Sequence, residues 1–405
     1  MHEAPFFDLL AYKEWTWKSY SVGLNQVYST HSNLAIMDVD QPPGTIYILR
    51  ASYETFLLTA RVLTRIMHLD VGSTVWINEN LLTFFFRFPS IIADLILGFC
   101  IYIMVKTKTS EKIALITSTL FLLGPPIIYN STIWGQMDSI NNLLFYLSLI
   151  FLVKKRAFFS VLFLAMSLFV KLSFLPVLPL YLMLGLSGVF FKRTSFIISI
   201  AITSVIIVIL CLPFSTDPFW IINVIGKAAH GVNQDISVNA YNFWWLIFNP
   251  ALRESTPPIT STFLGWALNY WAYLIFALLY LPIIFVSAKL IKMKKISIET
   301  TFLLTSIVAF ASFLFLPKMH ERYLYPIFPL LITWIGFKNK YWFMAIILSV
   351  IHFLNLYIVW NPSMFLFRNI EEKILDPNTK WILSLMTILI FAFYYMKIFT
   401  YSKTR

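Results

Sequence analysis

Long apolar runs separated by short basic clusters are the feature that most constrains how this chain folds. Most of the runs approach the roughly 20 residues that a helix needs to cross a lipid bilayer. Hydrophobic residues make up 59% of the 405 residues and charged residues 12%, whereas a soluble domain is about half apolar and a quarter charged. The pattern predicts an all-α polytopic membrane protein.

We predict about 11 transmembrane helices from these runs. The stretch 157–191 is too long for one crossing and is predicted to hold two short helices that meet near Lys171. The other predicted crossings lie at about 85–105, 113–129, 139–153, 195–212, 263–288, 299–316, 323–337, 341–360 and 380–398.

These crossings place a set of basic loops on one side of the membrane, as the positive-inside rule requires of the cytoplasmic side. The set is 106–112, 154–156, 192–193, 289–295, 338–340 and the tail from Lys397 to Arg405. The net charge of +12 therefore indicates cytoplasmic loops rather than nucleic-acid binding. The extracytoplasmic side receives residues 1–82, which we interpret as a catalytic loop. Residues 83–405 form the transmembrane bundle, with an extracytoplasmic loop at about 213–262.

Residues 45–68 are apolar but carry a polar stripe along one helix face, formed by Arg50, Glu54, Arg61, Arg65 and His68. Each charge at the bilayer centre would cost roughly 2.5–3.5 kcal/mol, so we predict a helix that lies in the membrane interface. The alternative is a span whose stripe faces the bundle.

No signal peptide precedes this region, so we expect a further span upstream of residue 1. The alternative is that the N-terminal segment is translocated together with the next span.

Asp8 is the candidate catalytic base. It lies among aromatic residues in the sequence, and partial desolvation makes a carboxylate a better proton acceptor. The alternative is a helix N-cap or a solvated acid.

Asp38 and Asp40 precede Gln41-Pro42-Pro43-Gly44, where two prolines fix the backbone. One interpretation is that this segment, residues 38–44, is a rigid elbow that returns the chain to the membrane. The other is that the elbow also holds an acidic side chain at the substrate.

A second polar cluster runs from Tyr129 to Ser139, at the mouth of a predicted span. Trp134, Gln136 and Asp138 are suited to binding sugar hydroxyls by stacking and hydrogen bonding. The alternatives are an ordinary interfacial aromatic residue for Trp134 and helix capping by Asp138 or Ser139, with capping favoured for Ser139.

The cationic candidates lie further along the chain. Lys171 sits at a helix break in apolar sequence, where a lysine needs water or an anion or extends to the interface. The loop from Pro317 to Tyr323 contains His320 and Arg322. Arginine can hold a phosphate through two parallel hydrogen bonds, and His320 can donate another. Basic residues here break the positive-inside bias, which favours a functional role over attraction to lipid headgroups.

The order of these motifs resembles the integral-membrane glycosyltransferases of the GT-C class. An acid with Tyr and Trp at helical spacing (Asp8, Tyr12, Trp15) is followed by an acid before Pro-Pro, by Trp-Gly-Gln-x-Asp-Ser, by Phe-x-Lys before prolines, and by His-Glu-Arg. The chain looks most similar to enzymes that use polyprenyl- or dolichyl-phosphate sugars, among them the lipid-linked-oligosaccharide glucosyltransferases and their prokaryotic relatives. Members of that class have a span before the aspartate-bearing loop, and we expect the corresponding span to lie upstream of residue 1.

The resemblance implies a GT-C-like bundle with extracytoplasmic loop helices and a catalytic aspartate at Asp8. It implies donor-phosphate contacts from His320 and Arg322, with Lys171 a further candidate. The reaction would move a hexose, with inversion, from a polyprenyl-phosphate donor to a hydroxyl of a lipid-linked glycan. The candidate substrate-binding residues are Tyr12, Trp15, Asp40, Gln41, Trp134, Gln136 and Asp138.

We expect neither a metal nor another cofactor, because no carboxylate cluster suits one, although Asp38 and Asp40 leave that open. The expected partners are membrane lipids, the lipid-phosphate sugar and the acceptor. The alternative function is a flippase for lipid-linked sugars or another transporter, which would place charges within spans as Arg87 and Asp94 are placed. Low cysteine use and compact loops favour a prokaryotic cytoplasmic membrane, with the site on its extracytoplasmic side, or on the lumenal side of the endoplasmic reticulum in a eukaryote.

Overall fold

The computed structural model describes residues 7–29, 38–67, 71–230, 233–248, 255–359 and 376–403. The helices of the first half are α1 (Phe7–Ser21), α2 (Pro43–Met67), α3 (Val71–Lys106), α4 (Glu111–Leu122), α5 (Pro125–Ile128), α6 (Asp138–Val153), α7 (Ala157–Val170), α8 (Leu178–Leu186) and α9 (Arg193–Cys211). The later helices are α10 (Trp220–His230), α11 (Phe243–Phe248), α12 (Leu268–Lys292), α13 (Ile298–Phe315), α14 (Ile327–Lys338), α15 (Trp342–Val359) and α16 (Pro377–Lys403).

The strands in the described part of the chain are two residues long and form two pairs. Strand β1 (Ser237–Val238) pairs in parallel with β4 (Met319–His320). Strands β2 (Thr262–Phe263) and β3 (Trp266–Ala267) form an antiparallel pair just before α12. The prediction of an all-α protein is confirmed, with these pairs serving only to fix loops.

Six helices within the described ranges are long and apolar enough to cross a membrane, which agrees with an integral membrane protein. A seventh crossing is counted if α4 and the segment Pro125–Trp134, bent by 48° relative to each other, form one span. Other predicted crossings coincide with shorter apolar helices such as α6 and α7. The six are Glu79–Lys106, α9, α12, α13, α15 and Asn378–Tyr401.

Helix α2 is not among the candidate spans, and it packs on α1 and α3. Its Ile46 and Phe56 are buried, whereas Arg61 and Arg65 of the polar stripe are exposed. His68, the last residue of that stripe, lies outside the described residues. Proline suits the first turn of a helix because its missing N–H would have no partner there, and Pro43 begins α2. Helix α3 runs without interruption across residues 82 and 83, where we divided the chain.

Helices α13 and α14 form the centre of the bundle. Every residue from Thr300 to Phe315 is buried, and hydroxyls such as that of Thr305 donate to their own helix backbone, which satisfies them without a partner helix. A capping box formed by Ser297 and Thr300 begins α13. The short connection between α13 and α14 carries His320 and Arg322, so both are attached to the most buried part of the protein.

Two irregular segments bring further polar residues to the same end of the bundle. Residues Tyr129–Trp134 form a π-helical turn that ends at Gly135, whose φ of 82° is left-handed. Helix α7 stops at Lys171, which is extended, and a 3₁₀ helix (Leu172–Val177) follows. The two short helices predicted within 157–191 are therefore present and meet at Lys171, as expected.

Candidate active site

Asp8 lies in the first turn of α1, where the helix dipole favours a negative charge. The indole N–H of Trp134 donates to Asp8 Oδ2 at 2.7 Å, and the Gln136 amide donates to the same oxygen at 2.6 Å. Both hydrogen bonds of Asp8 among the described residues go to Oδ2, and Oδ1 accepts none. The arrangement fixes one carboxylate oxygen and leaves the other available.

Tyr12, Gln136 and Ser90 form further hydrogen bonds around Asp8. The Tyr12 hydroxyl donates to the side-chain oxygen Oε1 of Gln136 at 3.2 Å, and the Ser90 hydroxyl of α3 donates to the backbone carbonyl of Gln136 at 2.7 Å. Trp15 is 1% exposed, and its ring packs against that of Tyr12. Tyr12, Trp134 and Gln136 are buried as well, so these candidate substrate contacts surround and orient Asp8 in this structure.

Arg322 faces the same tryptophan. Its guanidinium carbon lies 5.3 Å from the centre of the Trp134 ring and 5.6 Å from that of Tyr323, within cation–π range. Burial lowers the pKa of Arg322, but nearby negative charges, with Asp8 the largest contributor, outweigh burial and raise it overall. Residues more than 300 positions apart in the sequence therefore meet on one indole ring, the carboxylate at its N–H and the cation at its face.

The loop that carries His320 and Arg322 is held by the β1–β4 pairing and by a hydrogen bond from the Lys318 N–H to the Ile236 carbonyl. Burial lowers the pKa of His320 well below its usual value, and the charges of Arg322 and Lys171 lower it further. The imidazole is therefore neutral at pH 7 and offers a hydrogen bond rather than a charge. The nearest nitrogen of Asn233 is 3.4 Å from His320 Nε2.

Asp40 and Gln41 approach the site from the elbow before α2. Burial raises the pKa of the Asp40 carboxyl, and the positive charges of Arg322 and Lys171 offset part of that rise. Asp40 Oδ1 is buried and has no hydrogen-bond partner in the described part of the chain. The Gln41 side chain accepts from the Thr45 hydroxyl at 3.1 Å. The elbow thus places the Asp40 carboxyl where the charges of Arg322 and Lys171 both act on it.

Lys171 and Asp138 form a buried ion pair. The Lys171 ammonium lies 2.6 Å from Asp138 Oδ1, with the lysine side chain 9% exposed and the aspartate side chain fully buried. The anion that we expected Lys171 to need is therefore supplied by the chain itself. Asp138 Oδ2 is buried and accepts no hydrogen bond within the described ranges.

The capping prediction for Ser139 is wrong. Helix α6 begins at Asp138 after Met137, and no side chain caps it. The Ser139 hydroxyl instead lies 3.2 Å from the Tyr325 hydroxyl, which donates to Asp94 of α3. This network ties α3, α6 and the loop of Arg322 together beneath the site, because hydrogen-bonded buried polar groups fix relative positions.

Sequence reasoning gave Asp94 and Arg87 no part in the site. Both lie on one face of α3, seven residues apart, with Ser90 between them. Ser90 and Asp94 contact site elements directly, and the Arg87 stem lies beside Gly135. A spacing of two helical turns within an apolar run was the available signal.

Gly135 gives a test of how tightly this arrangement is built. We expect Gly135→Ala to lower the thermal unfolding midpoint in detergent by more than Gly188→Ala does. Both positions are left-handed, with φ of 82° and 77°, so both substitutions incur about 1–2 kcal/mol of backbone strain. A new Cβ at 135 would also lie 2.9 Å from Leu9 Cδ2 and 3.0 Å from Arg87 Cγ, whereas nothing lies within 4 Å at 188. Equal losses would contradict this close packing.

Comparison with known proteins adds no assignment: no protein-family model matches the sequence, and no curated protein is significantly similar to it.

Proposed function

We propose that this protein is an inverting glycosyltransferase of the GT-C class with about eleven membrane crossings. It would transfer a hexose from a polyprenyl-phosphate donor to a hydroxyl of a lipid-linked glycan on the extracytoplasmic side. The observation that carries the proposal is that Asp8 and Arg322 meet on Trp134. This reaction needs a base for the attacking hydroxyl and a cation for the departing phosphate.

Asp8 is suited to the role of base. Trp134 and Gln136 hold Oδ2, so Oδ1 can take the proton from the acceptor hydroxyl. As that O–H bond breaks, the acceptor oxygen forms a bond to the anomeric carbon on the face opposite the phosphate. The bond from the anomeric carbon to the phosphate oxygen breaks, and its electron pair leaves with the prenyl phosphate. The transition state resembles the oxocarbenium ion of glycoside hydrolysis.

Arg322 is the strongest candidate for stabilising the leaving phosphate. Its side chain is 13% exposed, and its Nη1 lies 3.3 Å from Glu321 Oε1, which orients the guanidinium. A guanidinium in a water-poor site stabilises developing negative charge more than it would in water. His320 would add a hydrogen bond as a neutral imidazole. Lys171 would add less, because Asp138 already balances its charge.

The proposal is tested by following labelled sugar. Purified protein in nanodiscs is given a short synthetic prenyl-phosphate mannose or glucose carrying ¹⁴C, with lipid extract from a gene-deletion strain as the source of acceptor. We expect label to enter a lipid-linked glycan with inverted anomeric configuration, and prenyl phosphate to be released in equal amount. Absence of transfer with both sugars would overturn the proposal.

Replacing Arg322 tests the phosphate contact. We expect Arg322→Gln to lower kcat/KM for the donor about 10- to 100-fold, because hydrogen bonds to charged groups contribute about 1.5–3 kcal/mol. The value for Arg322→Lys should lie between those of the wild type and Arg322→Gln, since lysine keeps the charge but loses the paired hydrogen bonds. Lys318→Gln removes a cation from the same loop and is the matched control. An unchanged kcat/KM in Arg322→Gln would remove Arg322 from the donor site.

The alternative function is a flippase for lipid-linked sugars. It is favoured by Asp94, a buried acid within the candidate span Glu79–Lys106. A flippase would carry an intact fluorescent prenyl-phosphate sugar across a liposome membrane without breaking its glycosidic bond. The two functions are therefore separated by whether the donor is cleaved.

A further inference from the structure

A second polar site lies at the other end of α13 and α14, away from Arg322. It is a cavity of about 330 Å³, formed where α14 ends, α15 begins and α16 passes. This volume is at the lower end of the range for small-ligand pockets. The residues that matter are three lysines and three aromatic residues: Lys338, Lys340, Lys397, Trp334, Tyr341 and Tyr401.

The lysines give the cavity an excess of positive charge. Lys338 Nζ lies 2.6 Å from Glu299 Oε2, so its charge is balanced. Lys340 and Lys397 have no acidic partner in the part of the chain that the structure describes. Two of the three positive charges are thus available to an anion.

Aromatic rings position two of these ammonium groups. Lys397 Nζ lies 5.0 Å from the Tyr341 ring centre and 4.5 Å from that of Phe393. Lys338 Nζ lies 5.0 Å from the Tyr401 ring centre. A cation held over a ring keeps its remaining N–H groups free to donate. These lysines are therefore held at the cavity rather than extended into solvent.

The turn that presents Lys340 is strained. Asn339 before it ends α14 in the left-handed conformation that asparagine readily adopts, but Tyr341 after it has a φ of 71°, which is strained for a bulky side chain. Such strain persists only where the surroundings hold it, and it is concentrated at ligand clamps and active sites. Here the Tyr341 ring stacks on Trp334, at 5.7 Å and an interplanar angle of 3°, and the Trp334 N–H donates to the Tyr401 hydroxyl at 3.2 Å.

The position of the cavity identifies the source of the anion. Helix α13 has 18 residues, which at 1.5 Å each span about 27 Å, close to the thickness of the hydrocarbon core. Arg322 follows its C-terminal end, and Glu299 stands at its N-terminal end beside Lys338. The cavity and the candidate active site therefore lie at opposite ends of a candidate span. With α13 crossing the bilayer, the cavity would be at the level of the lipid phosphates.

We propose that this cavity binds the headgroup phosphate of an anionic phospholipid, with Lys340 and Lys397 as its main contacts. Basic pockets between transmembrane helices recognise anionic headgroups in this way. The site does not depend on the proposed glycosyltransferase activity.

Native mass spectrometry of the detergent-solubilised full-length protein tests the proposal. Phosphatidylglycerol and phosphatidylcholine of the same chain length are titrated separately, with glycerol 3-phosphate as the tail-less anion. We expect phosphatidylglycerol to bind at least about 10-fold more tightly than the other two, through its net charge and its acyl chains. The double variant Lys340→Gln/Lys397→Gln should lose that preference.

Lys292→Gln/Lys294→Gln is the matched control, because it removes the same charge from the end of α12 and the turn after it, close to the start of α13 where Glu299 lies. It should keep the preference for phosphatidylglycerol. An equal loss in both double variants would indicate general surface charge and overturn the site. Equal binding of phosphatidylcholine would overturn the anionic selectivity, and equal binding of glycerol 3-phosphate would overturn the lipid source.

Discussion

Asp8→Asn is expected to lower kcat for hexose transfer about 10²- to 10⁴-fold, the range that a positioned general base contributes. The donor KM should stay within about threefold of the wild-type value, because the base acts on the acceptor hydroxyl in the transition state and does not hold the phosphate. Steady-state kinetics with the labelled prenyl-phosphate sugar measure both constants.

The substitution is informative because it preserves the hydrogen bonds that Asp8 makes within the protein. An asparagine has the same shape, and its carbonyl oxygen can accept the Trp134 and Gln136 hydrogen bonds that Oδ2 accepts now. What asparagine lacks is a second oxygen able to take a proton. A loss of rate with unchanged thermal stability would therefore report on the base and not on the fold.

Asp38→Asn is the matched control. The Asp38 side chain is 56% exposed, and its carboxylate lies 3.9 Å from the Lys18 ammonium. The substitution therefore removes a carboxylate from the same N-terminal region at an exposed position. It should transfer sugar at the wild-type rate. If Asp8→Asn transfers as fast as this control, another group is the base, and Asp40 is the next to test.

Local signals predicted much of this architecture. Asp8, Tyr12 and Trp15 stand at helical spacing and do lie on one helix. A lysine followed by prolines predicted the break at Lys171. Each of these follows from backbone rules that act over a few residues, so the sequence alone was sufficient.

Contacts between distant segments were harder to predict. Trp134 was expected at the interface or against a sugar, yet it is fully buried and joins Asp8 to Arg322. Ser139 was expected to cap a helix, yet it contacts Tyr325, 186 residues away. Such roles depend on which helix packs beside which, and spacing within one segment does not encode that. The count of crossings depends on the same packing, because α6 and α7 have 16 and 14 residues, fewer than the roughly 20 that a span needs.

Lys171→Met is expected to be the most destabilising single substitution near the site. It would leave the Asp138 carboxylate fully buried without its counter-ion, and removing one partner of a buried ion pair typically costs about 3–5 kcal/mol. Asp138→Asn should be damaging for the converse reason, because the Lys171 ammonium would lose its charged partner. The midpoint of thermal unfolding in detergent measures each loss.

The double variant Asp138→Asn/Lys171→Met should recover most of this stability, because it leaves no unpaired charge behind, and a buried pair replaced as a unit is often close to neutral. Lys106→Met provides the comparison, since the Lys106–Glu111 pair is solvent-exposed and its loss should have no measurable effect. If the double variant is as unstable as the sum of the single ones, the two residues act independently and the ion pair is not what holds this end of the bundle. Its donor KM, measured once it is stable, then tests separately whether Lys171 also contacts the phosphate, because the structural cost of losing the pair has been removed.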